Sequence, residues 1–375
     1  MKSNYTLFRI WGIPIRINIS LIVFLPILAW LIGSGEQLSA YASIINAMTP
    51  ATVDAAELAG NDRWIVAISV SVGLFASVAF HELGHAWMAI RYDIGVESIT
   101  LWLLGGLASL SAMPKEWNRE FWIAVAGPVS SLILAGACIG SLYLIPESLT
   151  LVVFIVGFIG VMNVILAVFN MLPAFPMDGG RVLRSLLARN RSYVSATQTA
   201  ARIGTGFAIA FLFLGVLAFA PLLILLALFI YIAATSESRS VILGDLLEGL
   251  TVADVLTESE PIDAQASARE VFDRMLGTRR SELAVIENGE IVGVVTGPSL
   301  KELPFEQYDT KTAKSLATTE FPRLDAEMSA FDGMFELMRT RSGVAIIERD
   351  GVPVGVVSRD DFTSVLDIRR DVDAF

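Results

Sequence analysis

The chain has 375 residues, 54% of them hydrophobic, and a formal net charge of −11. Its apolar residues gather in runs long enough to cross a bilayer, which excludes an ordinary soluble protein, and its single cysteine, Cys138, excludes an intrachain disulfide and a cysteine-built metal site. Charge is split: residues 1–240 hold 13 Lys and Arg against 12 Asp and Glu, whereas 241–375 hold 14 against 26, so an α-helical multi-pass membrane domain (1–240) precedes a soluble acidic domain (241–375) that lacks the basic face nucleic acid requires.

Ile19 to Gly33 is the first apolar span. Arg9 and Arg16 precede it and no A-x-A-like site follows, so it reads as a retained anchor and not a cleaved signal. Glu36 to Arg63, with Asp54, Glu57 and Asp62, reads as a polar extracytoplasmic connection. Trp64 to Ile90 is the second span and Arg91 closes it. Leu103 to Ala108 is too short to cross and too apolar for a free loop. Phe121 to Leu144 and Leu151 to Asn170 form the next two spans around an Ile145-Pro146-Glu147 turn, and Gly127-Pro128 reads as a packing feature. Arg181, Arg184, Arg189 and Arg191 follow. Pro221, near the middle of Ile203 to Ala234, predicts a tight hairpin of two short helices, for a count of six spans, or five if that stretch crosses once. Lys and Arg cluster before the first span and after the second, fourth and sixth, which predicts a cell-membrane protein with both termini and the acidic domain cytoplasmic.

The only two histidines lie in His81-Glu82-Leu83-Gly84-His85, near the end of the second span. Residues four apart share a helix face, so both imidazoles can meet one metal ion with Glu82 beside it to move a proton. Two histidines and a glutamate at membrane depth are costly unless they pair, ligate or line a wet cavity, and zinc suits a His pair. A hydrolytic zinc site takes three protein ligands, so the third must be a carboxylate. In Asn170-Met171-Leu172-Pro173-Ala174-Phe175-Pro176-Met177-Asp178-Gly179-Gly180 two prolines break the fourth span just before Asp178, the carboxylate at matching depth. Asp178 is the expected third ligand; a helix cap or an ion pair with Arg181 is its alternative role.

HELGH on one span and N-x-x-P-x-x-P-x-D-G-G on a later one together resemble the site-2 proteases, zinc intramembrane metalloproteases of peptidase family M50. The resemblance implies that His81, His85 and Asp178 bind one Zn2+, that Glu82 is the general base and acid, and that Asn170 steadies the developing oxyanion; otherwise Asn170 is a turn residue ahead of proline. The segment with Gly105 and Gly106 is similar to the family's membrane-embedded strand or re-entrant segment, which would align an unwound substrate through its backbone. The implied substrates are transmembrane segments of other proteins, carrying residues that weaken a helix.

In the acidic domain, Glu282 to Thr296 and Gly343 to Ser358 each read strand, Asn-Gly or Asp-Gly hairpin, strand, and amphipathic helices precede them at Ser267 to Leu276 and Ser329 to Met338. These repeats, over about 248–308 and 309–370, resemble a tandem pair of CBS domains. That likeness implies an adenine-nucleotide cleft (ATP, ADP or AMP) at Ser358 and Asp361. Its counterpart at Thr296 has Ser299 in place of the aspartate. A structural or homodimerising role is the alternative. Two readings from other classes are a CBS-regulated transporter or channel and a catalytically inactive membrane scaffold.

Overall fold

The computed structural model describes residues 4–373 apart from 35, 36, 59, 104, 112, 113, 257–259, 320, 341 and 342. Glu36 of the expected connection and Leu104 of the short apolar segment lie outside the described residues. The chain divides into two units, Met1–Ser238 and Arg239–Phe375.

The first unit opens with a hairpin, β1 (Asn4–Ile10) and β2 (Ile13–Asn18), a segment in which the sequence suggested no strands. Trp11 and Gly12 form its turn, both at positive φ (52° and 81°), the backbone that lets a two-residue loop follow the twist of its strands. Asn18 ends β2 and accepts the Ser20 N–H (2.9 Å), starting α1 (Ile19–Ser34). The connection expected after it is not simply a loop. It contains α2 (Gln37–Met48) and a 3-10 turn at Ala55–Leu58. Leu38, Ala42 and Ile45, spaced four and three apart, form one apolar face that packs with Val66 and Val70 and with Phe154 and Phe158.

Next come α3 (Asp62–Arg91), the hairpin β3 (Val96–Trp102) and β4 (Gly105–Leu110), α4 (Trp117–Ser141), α5 (Thr150–Asn170), α6 (Asp178–Ala188), α7 (Tyr193–Leu217) and α8 (Pro221–Leu246). The expected pair of short helices around Pro221 is instead two long ones, of 25 and 26 residues. Polar flanks that hydropathy alone discards, Tyr193 to Arg202 and Thr235 to Leu246, continue each apolar core as helix. Proline still sets the break, standing at the first position of α8 where its missing N–H costs nothing. Among the described residues five helices (α3, α4, α5, α7 and α8) are long and apolar enough to cross a membrane, and α1 with α2 makes six if that pair is one bent span.

The four strands form one sheet in the order β1-β2-β3-β4, with β2 and β3 parallel and the other pairs antiparallel. Ile13, Ile15 and Ile99 pack on Ala86 of α3, and Leu101 packs with Leu21 and Phe75. The sheet is thus seated on the stretch of α3 that carries the histidines, with β4 at one edge.

The second unit repeats one motif. After a one-turn helix α9 (Val252–Val255) come β5 (Ile262–Asp263), α10 (Ala268–Thr278), β6 (Glu282–Glu287), β7 (Glu290–Thr296) and α11 (Gly297–Lys301). Then follow α12 (Ala313–Leu316), β8 (Arg323–Asp325), α13 (Ala330–Arg339), β9 (Val344–Arg349), β10 (Val352–Ser358) and α14 (Arg359–Asp373). Each hairpin turns on two positive-φ residues, Asn288-Gly289 (54° and 86°) and Asp350-Gly351 (52° and 77°). A short strand lies parallel to each hairpin, β5 on β6 and β8 on β9. The Ser267–Glu270 capping box starts α10 by satisfying two otherwise orphaned N–H groups. Ala284 and Val294 of one sheet pack with Val344, Ile346 and Val356 of the other, joining the repeats through a shared apolar seam.

Candidate metal centre

One helical turn separates His81 from His85, so both rings leave the same face of α3 and their Nε2 atoms stand 3.2 Å apart. Pro173 and Pro176 interrupt the chain after α5, and α6 restarts at Asp178, whose Oδ2 lies 3.1 Å from His81 Nε2 and 3.2 Å from His85 Nε2. All three side chains are buried, at 3%, 7% and 8% exposure for His81, His85 and Asp178. Among the described residues they form the group of ligating side chains able to hold a metal ion.

The far sides of the rings fix what the near sides offer. His85 Nδ1 lies 2.7 Å from the carbonyl of Ile123, which can only accept, so Nδ1 carries the proton and donates. A neutral His85 then turns an Nε2 lone pair toward the centre. His81 Nδ1 is 3.0 Å from Ser131 Oγ, a fully buried hydroxyl on α4. Two imidazole nitrogens and a carboxylate oxygen pointed at one another repel unless a cation lies among them. The spacing fits zinc: bonds of about 2.0–2.1 Å in a tetrahedron place ligand atoms about 3.3 Å apart. The donor set, two His and one carboxylate, is that of a catalytic zinc site.

Two glycines press against this group. A Cβ on Gly127 would stand 2.1 Å from His85 Nε2 and 2.7 Å from His81 Nε2, so the Gly127-Pro128 pair read as packing is a wall of the centre. Only the absence of a side chain leaves that space open. On β4, a Cβ on Gly106 would stand 2.4 Å from Glu82 Cγ and 2.8 Å from its Oε1. Gly106 therefore brings strand backbone against the carboxylate that follows His81. Its neighbour Gly105, at φ 137°, needs glycine for its backbone conformation.

Of the other residues singled out in the sequence, Asn170 is the last residue of α5 and donates from Nδ2 to the Leu166 carbonyl (3.0 Å). In the second unit a cavity of about 500 Å³ is lined by Thr296 and Ser358, together with Glu282, Phe321, Arg359 and Asp360. Asp361 is not one of its lining residues. Its Oδ2 accepts the Ser358 N–H (2.8 Å) and hydroxyl (3.0 Å), while Oδ1 pairs with Arg280 of the first repeat. Thr296 meets Ser299 at 2.9 Å in the equivalent place.

Sequence reasoning missed Ser131 and Ile123, gave Gly127 a packing role only, and missed Arg184; the first three surround the histidines from α4. Arg184 was counted among the cytoplasmic basic residues, yet it is 0% exposed. No local pattern marks it; only the two carboxylates that reach it from distant helices explain an arginine there.

The family model of peptidase family M50 matches residues 69–151 and 146–214, and that of the CBS domain matches 252–300 and 313–368. A zinc metalloprotease of Methanocaldococcus jannaschii is 30% identical over 383 residues, covering 99% of each chain. The solved site-2 protease from Methanocaldococcus jannaschii is 31% identical, covers 69% of this chain and 99% of its own, and has a TM-score of 0.44. The CBS domain of a bacterial CNNM/CorC family Mg2+ transporter, solved in complex with ATP, is 22% identical over 35% of this chain and 97% of its own, with a TM-score of 0.31.

Proposed function

Because the chain belongs to peptidase family M50 and is a zinc metalloprotease with CBS domains, we propose that it is an endopeptidase acting inside the membrane, hydrolysing peptide bonds within or beside transmembrane segments of other proteins. The observation that carries this reading is the meeting of His81, His85 and Asp178 at 3.1–3.2 Å in a unit with five membrane-length apolar helices. The transporter and inactive-scaffold readings give way to it.

His81, His85 and Asp178 would hold the zinc, which when bound supplies a Lewis acid that polarises the scissile carbonyl and makes water acidic enough to attack near neutral pH. Glu82 accepts the proton of the attacking water and returns it to the leaving amine: a C–O bond forms, the C–N bond breaks, and a carboxyl and an amine result. Asn170 has two amide hydrogens, of which the Leu166 carbonyl takes one; the other is assigned to the developing oxyanion. A transmembrane helix has its carbonyls occupied, so the substrate must unwind before reacting. The freed segment would pair along the edge of β4 at Gly105 and Gly106, the second of which brings backbone close to Glu82. The long apolar helices and the basic residues that flank them support a cell-membrane protein with both termini and the CBS unit on the cytoplasmic side.

The CBS unit is assigned regulation, by adenine nucleotide in the cavity at Thr296 and Ser358 or by homodimerisation. Titration calorimetry of the full chain with ATP, ADP and AMP tests the first route: binding at one site, weakened by Asp361→Ala, supports it, and no heat with any of the three retires it. The proteolytic reading is tested by incubating detergent-purified protein with a transmembrane model substrate, with and without a chelator and beside Glu82→Gln. Cleavage that survives either treatment overturns it.

A further inference from the structure

Resting on the metal-centre reading, we infer that Arg184 is a positioning residue, which sets the separation between the His pair and Asp178 without touching either. Arg184 lies on α6, six residues beyond Asp178, about 9 Å along the helix axis and on a different face. Its guanidinium is fully buried and is gripped from both ends. Nε and one terminal nitrogen lie 2.7 and 2.5 Å from Glu120 Oε1 on α4, and the other terminal nitrogen lies 2.5 Å from Glu237 Oε1 on α8. The rings of Phe175 and Tyr193 lie 5.0 and 4.9 Å from the guanidinium carbon.

The partners are placed where they would control the centre. Glu120 is three residues before Ile123 on α4, so the carboxylate that holds Arg184 leaves the helix within one turn of the carbonyl that orients His85. Phe175 belongs to the short link that ends at Asp178, three residues later. One guanidinium thus ties the helix that aims His85 to the helix and link that present Asp178. A planar fork with five donors can hold two carboxylates at fixed angles, which a lysine ammonium cannot.

Stability alone does not explain this arrangement. Two carboxylates around one guanidinium leave a net negative charge, and both Glu120 Oε2 and Arg184 Nη2 are buried without a hydrogen-bond partner, Nη2 meeting Glu120 as an ion-pair contact only. Burying such a group is costly, and apolar replacements of buried ion pairs are often as stable or more so. What the triad does supply is a fixed register between α4 and α6, and a catalytic group must be held to within about 0.5 Å of its working position.

The experiment compares full-length wild type with Arg184→Met, Arg184→Lys, Glu237→Gln and the neutral triple variant R184M/E120Q/E237Q. It reads melting temperature, zinc affinity by chelator competition and the visible spectrum of the cobalt-loaded protein. Expected is an about tenfold or greater loss of zinc affinity in Arg184→Met, with an altered cobalt spectrum. The triple variant should recover the melting temperature while affinity and spectrum stay altered, and Arg184→Lys should restore them only in part. If Arg184→Met does not fold, the triple variant and Glu237→Gln, at the more exposed end of the triad, carry the comparison. Wild-type affinity and cobalt spectrum in the folded variants overturn the inference while leaving the metal centre standing. A wild-type protein whose zinc uptake is indifferent to His81→Ala and Asp178→Ala overturns both.

Discussion

Gly106 stands so close to Glu82 that a single methyl on its Cα would come within 2.4 Å of the glutamate's Cγ. The strand edge and the carboxylate occupy one working space. Gly106→Ala should therefore push Glu82 aside and lower the cleavage rate by about tenfold or more while zinc stays bound, because a 1 Å misplacement of a reacting group costs about that much or more. Rate and zinc content measured on the same sample check this; loss of both together would contradict it.

Gly127→Ala should fail differently. Its methyl would lie 2.1 Å from His85 Nε2, and an imidazole anchored by the Ile123 carbonyl cannot retreat freely. The variant should be purified with little or no zinc, as elemental analysis will show, and added zinc should restore little of the rate.

Glu82→Gln keeps the shape of the side chain and removes its proton affinity. Zinc content should be unchanged and cleavage should fall by about 10²–10⁴-fold, the usual worth of a positioned general base. Asp178→Ala should do the reverse first, releasing zinc and losing activity as a consequence; competition with a chromophoric chelator distinguishes the two.

Ser131→Ala removes the hydroxyl that faces His81 Nδ1 at 3.0 Å. Freed from that partner, the ring loses its fixed tautomer and orientation. Zinc should bind about 10–100-fold more weakly, as for other lost partners of metal-binding histidines. A dissociation constant equal to wild type would remove Ser131 from the account.

In the second unit, Arg269 donates to both oxygens of Asp309 (2.5 and 3.0 Å). That hydrogen bond holds the Asp309 carboxyl below its ordinary value. A carboxylate held low contributes stability above the unfolded value, about 3.9, and loses it as pH falls through the folded one. Asp309→Asn should lower the melting temperature of the full chain slightly at pH 7, since the pair is solvent-exposed. The difference should close below about pH 4. A constant gap from pH 7 to 3 would show that the pair acts by packing alone.

The parts legible from sequence were those written in local periodicity. His81 and His85 share a face because four residues make about one turn, and Asp178 stood out because two prolines break a membrane helix just ahead of it. The paired hairpins at Asn288-Gly289 and Asp350-Gly351 were legible through turn chemistry. The β1–β2 hairpin was not, because its turn is Trp11-Gly12, outside the familiar dipeptides. The apolar face of α2 is short and shares its connection with Asp54, Glu57 and Asp62, whose charges dominate the local hydropathy. Ser131, Gly127 and Arg184 owe their roles to side chains 42 or more residues away, and a single sequence offers no local mark of such meetings.

Asp178 follows His81 by 97 residues, and α4 and α5 lie between them. During synthesis the ribosome therefore releases a helix bearing both imidazoles well before the carboxylate that completes the trio. A half-made molecule has no competent blade. The trio can meet only after α1 to α5 have all been made, so an unfinished chain carries both imidazoles without their carboxylate.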